Sequence, residues 1–397
     1  MENLTAEERA IIFRRFRAYF RRDPERSRIQ KQREKNWQLR EKSPYYNPRP
    51  PPSAFVLYGL KFAFFCFPNR MIREMDLVQI IEFSLVSKLC RNQVKSCKIQ
   101  GTNVTVAIRS EVVVCFELEE WGSCELIFWN WGSNVGEKTV KAPLKVEVTY
   151  FENNKRRVRW VCKDEFEMID WMEHFYAIFN YRGIDSIKFD VTSFDYDPKD
   201  LKKSFGVPSI LSMEHTFKHA LNQAVLQTFL PVESLDMESY VFEDSKIPPE
   251  IFIQNFQTLK IREISRKVNT LDSLLMTNSK SIRIEWARID QKDFNAFLKL
   301  WQQGANPQME YLGFDNRIEL DPTVILKGTK YMEISEDEGR WFRPSDRKVE
   351  KKNVRGGMEI VRNDGVRATI QIDVDSKCYE VFVWFDHCIV LEGPEFD

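Results

Sequence analysis

Two apolar residues flanking a single intervening position recur along the second half of the chain. They are Ile187-Lys-Phe189, Leu211-Ser-Met213, Leu235-Asp-Met237, Leu259-Lys-Ile261, Ile282-Arg-Ile284 and Leu312-Gly-Phe314. Their first members stand 24, 24, 24, 23 and 30 residues apart. A period of this kind constrains a chain strongly, because each unit must bury its apolar pair against neighbours one period away. Side chains alternate across a strand, so each apolar pair shares one face and the residue between them takes the other. Helical patterns fill most of the intervals, the clearest over 290–304. There Asp290 can cap, Phe294, Phe297, Leu298 and Trp301 share a face, and Gly304 with Pro307 ends the helix.

A strand and a helix every roughly 20–29 residues is the pattern of a leucine-rich-repeat-like α/β solenoid. Its strands are expected to run parallel along the concave side, joined by right-handed crossovers. The residues between and just beyond the apolar pairs then face outward from that sheet: Lys188, Asp190, Asp236, Glu238, Lys260, Arg262, Arg283 and Glu285. Their mixed charge suits a protein target better than a nucleic acid; the alternative is a solvated face with no partner. The whole chain points the same way, since Lys+Arg and Asp+Glu both number 59 and no global charge attracts phosphate.

Upstream the periodicity changes. "VTVAI", "VVVCFEL", "CELIFW" and "LKVEVTYF" followed by "RRVRWVC" alternate with period two between turn residues, which predicts an antiparallel sheet. A helix is expected over 164–180, and Trp121, Trp129, Trp131 and Trp160 read as core residues. At the far end, 356–391 reads as a closing β-unit with Asp364-Gly365 at a tight hairpin turn. The fold class is therefore α+β, in four segments: a basic extension with a Pro-rich linker (1–53), a small helical module (54–97), a β-rich region plus helix (98–180), and the repeat domain with its β-hairpin (181–397). Residues 1–50 hold 14 Lys/Arg against 7 Asp/Glu, and read as a helix with a basic side followed by the extended "SPYYNPRPPPS". Eight cysteines without a CxxC sit mostly inside apolar runs, as expected of a cytoplasmic or nuclear protein. The apolar run 54–67 is too short to span a bilayer and contains Lys61, so no transmembrane segment is expected.

Signals for chemistry are weak. His215 and His219 are four apart, but Thr216 stands where a zinc protease needs its glutamate. No P-loop, dinucleotide-binding glycine motif or nucleophile elbow occurs. No catalytic residue, cofactor or metal ligand is assigned. The chain reads as a binder and not an enzyme.

One further stretch asks for a partner. In "FPNRMIREMDLVQIIEFSLVSKLCRNQVKS" (67–96), the apolar residues from Leu77 to Val94 go nearly round a single helix, whereas a surface helix needs only one apolar face. "MDLVQIIEFSLVSK" resembles the second half of an F-box, and Phe67-Pro68 its opening. "DWMEHFYAIFNYRGIDSIKFD", "SKSIRIEWARIDQKDFNAFLKLWQQGANPQMEYLGF" and "GGMEIVRNDGVRATI" resemble the type-2 F-box-associated domain of the large nematode F-box family. The F-box is shortened and degenerate, with only 69–74 between the Phe-Pro opening and Met75-Asp76. The resemblance implies a substrate-recognition subunit of an SCF-type cullin ubiquitin ligase. A Skp-type adaptor would contact Phe67, Pro68, Ile80, Ile81, Leu85, Val86 and Leu89, and the C-terminal domain would hold a protein target whose identity the sequence does not specify. The alternative is a non-catalytic interaction scaffold that has lost adaptor docking.

Overall fold

The computed structural model describes residues 72–129, 145–152, 155–163, 166–190, 193, 196–214, 218–262, 271–287, 289–316, 321–346 and 351–390. The basic extension, the Pro-rich linker, the 54–67 run, Phe67, Pro68, Trp131 and His215 lie outside them. The chain divides into two compact units: 1–103, 115–129 and 141–182 form one, and 104–114, 130–140 and 183–397 the other.

Among the described residues of the first unit, 77–96 form two helices, not the single one that the apolar pattern of 77–94 implies. They are α1 (Leu77–Val86) and α2 (Lys88–Ser96). Asp76 caps α1 in a reciprocal box with Gln79. Ser87 is extended, at φ −159° and ψ 163°, so it ends α1 and caps α2 by accepting from the Cys90 N–H. The break re-aims the second half of the run, which is why apolar residues appeared on every side of one helix. Strands β1 (Gly101–Ile108) and β2 (Val112–Leu118) contribute to both units. The first unit adds β3 (Gly122–Trp129), β4 (Lys145–Glu152), β5 (Lys155–Val161) and α3 (Met168–Ile178). β3, β4 and β5 pair antiparallel as expected. α3 lies within the predicted 164–180. Its Trp171 and Phe175 stack at 5.7 Å, while Phe116 meets Phe179 at 5.1 Å, giving a ring-filled interior. Trp160 departs from its expected core place: on β5 it is 37% exposed.

The second unit alternates β6 (Ser186–Phe189), α4 (Pro198–Phe205), β7 (Ile210–Met213), α5 (His219–Phe229), β8 (Ser234–Glu238), α6 (Pro249–Phe252), β9 (Thr258–Arg262), α7 (Leu271–Met276), β10 (Ser281–Ala287), α8 (Gln291–Gln302) and β11 (Tyr311–Asn316). β6 to β11 are parallel and adjacent in chain order. Each contains one of the six repeated apolar pairs. β1 also joins this run, parallel to β6, which corrects its assignment to the antiparallel region. Its alternation reports a strand but not the direction of its neighbour, which tertiary contacts decide. α8 forms as read: Asp290 caps it, and Phe294, Phe297, Leu298 and Trp301 are buried. Gly304, at φ 110°, takes the left-handed conformation that lets the chain leave the helix.

The closing β-unit is longer than 356–391. After α9 (Pro322–Ile325) come β12 (Met332–Phe342), β13 (Lys352–Val361), β14 (Arg367–Asp373), β15 (Cys378–Val383) and β16 (Ile389–Val390). β13 and β14 form the hairpin around Asp364-Gly365, with Gly365 at φ 93°. β15 lies antiparallel against β11, so the tail extends the sheet beyond the parallel run. β12 lies outside the expected unit because "MEISEDEGRWF" is mostly solvent-exposed, with four acids, and carries no core alternation.

Candidate functional site

The parallel register aligns the repeat into rows. Ile187, Leu211, Leu235, Leu259, Ile282 and Leu312 make one buried row; Phe189, Met213, Met237, Ile261, Ile284 and Phe314 make the next. The intervening positions must face the other way. Lys188, Ser212, Asp236, Lys260, Arg283 and Gly313 line up across the strands. Glu238, Arg262 and Glu285 form the following row. All eight residues expected on this face, Lys188, Asp190, Asp236, Glu238, Lys260, Arg262, Arg283 and Glu285, are half-buried on it.

Their charges are organised. Lys188 Nζ lies 2.6 Å from Glu214, Lys260 Nζ 2.8 Å from Glu285, and Arg109 Nε 3.1 Å from Asp190. Arg262 sits at the centre, 2.9 Å from Glu238, 3.5 Å from Asp236 and 3.8 Å from Glu285. Arg283 reaches Asp315 at 3.3 Å and Glu285 at 3.7 Å. Burial works against the Arg283 charge, but the surrounding Tyr311, Asp315 and Glu285 outweigh it and hold its pKa above the usual guanidinium range. Cross-strand charge pairs of this exposure contribute about 0.2–1 kcal/mol each, so the network does little for stability. What it does is hold long side chains in fixed positions and set a pattern of sign, which is what specific recognition needs.

Glu214, Asp315 and Arg109 belong to this face and escaped the sequence reading. The first two occupy the same repeat offset as Glu238, so the pattern already contained them. Arg109 entered through β1, whose parallel pairing the sequence did not disclose. Beyond Arg283 the row meets Gly313, where a Cβ would stand 2.4 Å from the Tyr311 hydroxyl. The missing side chain lets the Tyr311 ring fold over, and its hydroxyl donates to Glu380 at 2.8 Å. Burial, with Glu380 beside it, pushes the Tyr311 phenol well above its ordinary range.

In the first unit, the residues expected to meet an adaptor fall into two sets. Ile80, Ile81 and Leu85 are buried at 1%, 0% and 5% exposure. Val86 and Leu89 are half-buried, flanking Ser87 at the α1–α2 break. The two serines of "FSLVSK" have structural tasks. Ser87 caps α2, while Ser84 Oγ donates to the Ile81 carbonyl at 2.6 Å and lies 2.7 Å from His174 Nε2 on α3. A hydroxyl has one proton, so Nε2–H must be the donor to Ser84. Burial, reinforced by Arg91 and Lys163, depresses the His174 pKa to about 3 and keeps the ring neutral. Buried to 1% and 2%, the pair ties α1 to α3 and offers no reactive surface. Glu82, on the same helix, is driven up to about 7 by burial and by Asp76, with Arg159 offsetting part of the shift.

Glu310, His387 and Cys388 bring metal-ligating atoms within 4.8 Å of one another. The Glu310 carboxylate is already occupied: it accepts from the Ser345 N–H and Oγ at 2.6 Å each, contacts His387 Nε2 at 3.0 Å and has Lys280 Nζ at 3.7 Å. These partners outweigh burial and hold its pKa low. These contacts make Glu310 a hydrogen-bonded anchor for Ser345 and His387. His219, the described half of the His215/His219 pair, turns Nδ1 to the Val241 carbonyl at 3.2 Å. The seven described cysteines are all free thiols. No helix among the described residues is long and apolar enough to cross a membrane.

Residues 247–314 match a family model described as F-box associated. The match runs from just before α6 through most of β11, and contains Lys260, Arg262, Arg283 and Glu285 of the charged face. It supports an F-box-associated character for this part of the chain. No curated protein and no solved structure matches the chain.

Proposed function

We propose that the chain is a substrate-recognition subunit of an SCF-type cullin ubiquitin ligase. The outward face of β6–β11 holds a protein target, and a Skp-type adaptor docks beside the α1–α2 break. The observation that carries the reading is the coincidence of the F-box-associated match, over 247–314, with the centre of the ion-paired face. The sequential parallel strands, with a helix in each crossover, fit a leucine-rich-repeat-like solenoid. Positive residues (Arg109, Lys188, Lys260, Arg262, Arg283) and negative ones (Asp190, Glu214, Asp236, Glu238, Glu285, Asp315) nearly balance on that face, which favours a protein target over a phosphate backbone. The chain performs no bond chemistry on this reading. It supplies proximity and orientation to enzymes elsewhere in the complex.

A second reading, an interaction scaffold without adaptor docking, is favoured by the burial of Ile80, Ile81 and Leu85, which leaves Val86 and Leu89 as the reachable ones among the five described adaptor candidates. Capture of the chain by a purified Skp-type adaptor separates the two. Intact protein and a chain lacking 1–53 should both bind; Leu89→Asp, with folding verified by circular dichroism, should not. Absence of binding by the folded intact chain would sink the ligase reading and leave the scaffold.

A further inference from the structure

Glu310, His387 and Cys388 come from two distant parts of the second unit. Glu310 directly precedes β11, while His387 and Cys388 end the 3-10 turn Asp386–Cys388 that leads into β16. Their oxygen, nitrogen and sulfur donors lie within 4.8 Å of one another. Donors bound at about 2.0–2.3 Å in a tetrahedron stand about 3.3–3.8 Å apart, so side-chain shifts of about 1 Å complete a ligand set. The backbone holds each donor in place. Glu310 N–H donates to the Lys280 carbonyl at 2.7 Å, and the Glu310 carbonyl accepts from Val383 N–H at 2.9 Å. Cys388 N–H donates to the Phe385 carbonyl at 2.8 Å, and the Cys388 carbonyl accepts from Arg343 N–H at 2.9 Å. The His387 ring stacks on Phe385, with centroids 5.5 Å apart and planes 5° from parallel.

We propose that these three residues bind one divalent metal ion of the zinc class, through Glu310 Oε1, His387 Nε2 and Cys388 Sγ, with water in the fourth position. A thiolate, an imidazole and a carboxylate form a set of borderline softness that suits Zn²⁺ and Co²⁺; Mg²⁺ and Ca²⁺ take oxygen ligands. The two anionic ligands neutralise the ion, which lets it sit against Glu310 and Cys388, 1% and 0% exposed. His387 is exposed and gives the ion a way in. The donors already on Glu310 become its outer support. Ser345 N–H and Oγ keep their hold on the two oxygens, as a ligating carboxylate requires, and the His387 contact alone changes character. On binding, Cys388 releases its proton to solvent, and His387 binds through Nε2 with its remaining proton on Nδ1. Lys280 Nζ, 3.7 Å from Glu310, opposes a second cation; its side chain is 32% exposed and can turn to solvent. The bound ion ties the start of β11 to the segment entering β16. No residue assigned above to target or adaptor takes part.

Cobalt titration of the full chain, stripped of metal with a chelator and kept reduced without added thiol, tests the proposal. Co²⁺ alone should give a near-ultraviolet cobalt–thiolate charge-transfer band and the visible bands of a four-coordinate ion, saturating at one ion per chain. An equivalent of Zn²⁺ should bleach both by displacing it. Cys388→Ser should abolish the charge-transfer band, whereas Cys378→Ser, a thiol outside the cluster, should leave it unchanged. His387→Gln alters an exposed side chain, disturbs folding least, and should weaken binding at least about tenfold. Glu310→Gln should weaken it too, with circular dichroism as the check on folding, and Lys280→Gln should tighten it. Zn²⁺ should raise the thermal unfolding temperature of wild type and not that of His387→Gln. Absence of a thiolate band at millimolar Co²⁺ overturns the proposal. So does a band that survives in Cys388→Ser, or wild-type affinity in His387→Gln.

Discussion

The α1–α2 segment and the outward face of β6–β11 use polar residues in opposite ways. On α1 one polar pair is turned inward: Ser84 and His174 satisfy each other at 2.7 Å, on a helix that also buries Ile80 and Ile81. On the sheet face the polar groups remain half-exposed and pair along the surface, as Arg262 does with Glu238 and Asp236. The difference teaches where to expect each kind of damage. A change in α1 should be felt first as lost folding, and a change on the face first as lost recognition.

The largest expected effect is Ile81→Ala. Removing a side chain of 0% exposure should cost about 2–5 kcal/mol in urea unfolding, whereas Lys260→Ala should stay within about 1 kcal/mol. Equal losses would erase the contrast. His174→Ala comes next, at about 1–3 kcal/mol, because it strands a buried hydroxyl partner. Its effect should depend on pH. Folding depresses the His174 pKa from 6.5 to about 3, so the unfolded chain takes up a proton as pH falls below 6.5 that the folded chain refuses. Wild type therefore loses this stability progressively from pH 6.5 to 3, and the gap between wild type and His174→Ala should narrow over that window.

Glu82 has the opposite sign. Its folded pKa is raised from 4.5 to about 7, so its stability is complete below 4.5 and is lost as pH rises through 7. Glu82→Gln should accordingly stabilise the protein above pH 7 and make no difference below 4.5. Thermal unfolding across that range would show it, and a flat difference would mean that the carboxylate is solvated. The smallest stability effect is Arg262→Ala, expected to cost no more than about 1 kcal/mol and to shrink with salt. Its consequence for a captured target should be much larger than that. If Arg262→Ala perturbs folding as strongly as Ile81→Ala, the face is structural and the comparison fails.

Strands and their facing were largely legible in the sequence, because alternation of apolar and polar residues is a local property. The six pairs from Ile187/Phe189 to Leu312/Phe314 each sit in one parallel strand, and α8 begins and buries as its cap and stripe imply. The eight face residues followed from the same alternation. The exceptions have physical causes. A single extended residue, Ser87, splits an apolar run that periodicity reads as one helix. β12 escaped because an exposed acidic edge has no buried face to write into the pattern.

The sequence by itself determined which residues form the repeat, which side of each repeat strand is apolar and which residue caps α8. These depend on residues a few positions apart and on the backbone geometry that links them. Only the tertiary structure decided which strands are neighbours: that β1 runs parallel to β6 and brings Arg109 to Asp190, that β15 closes against β11, and that His174 reaches Ser84. Strand neighbours and buried polar pairs are chosen by total packing and by the need to satisfy every desolvated group, and that sum is taken over residues far apart in the chain.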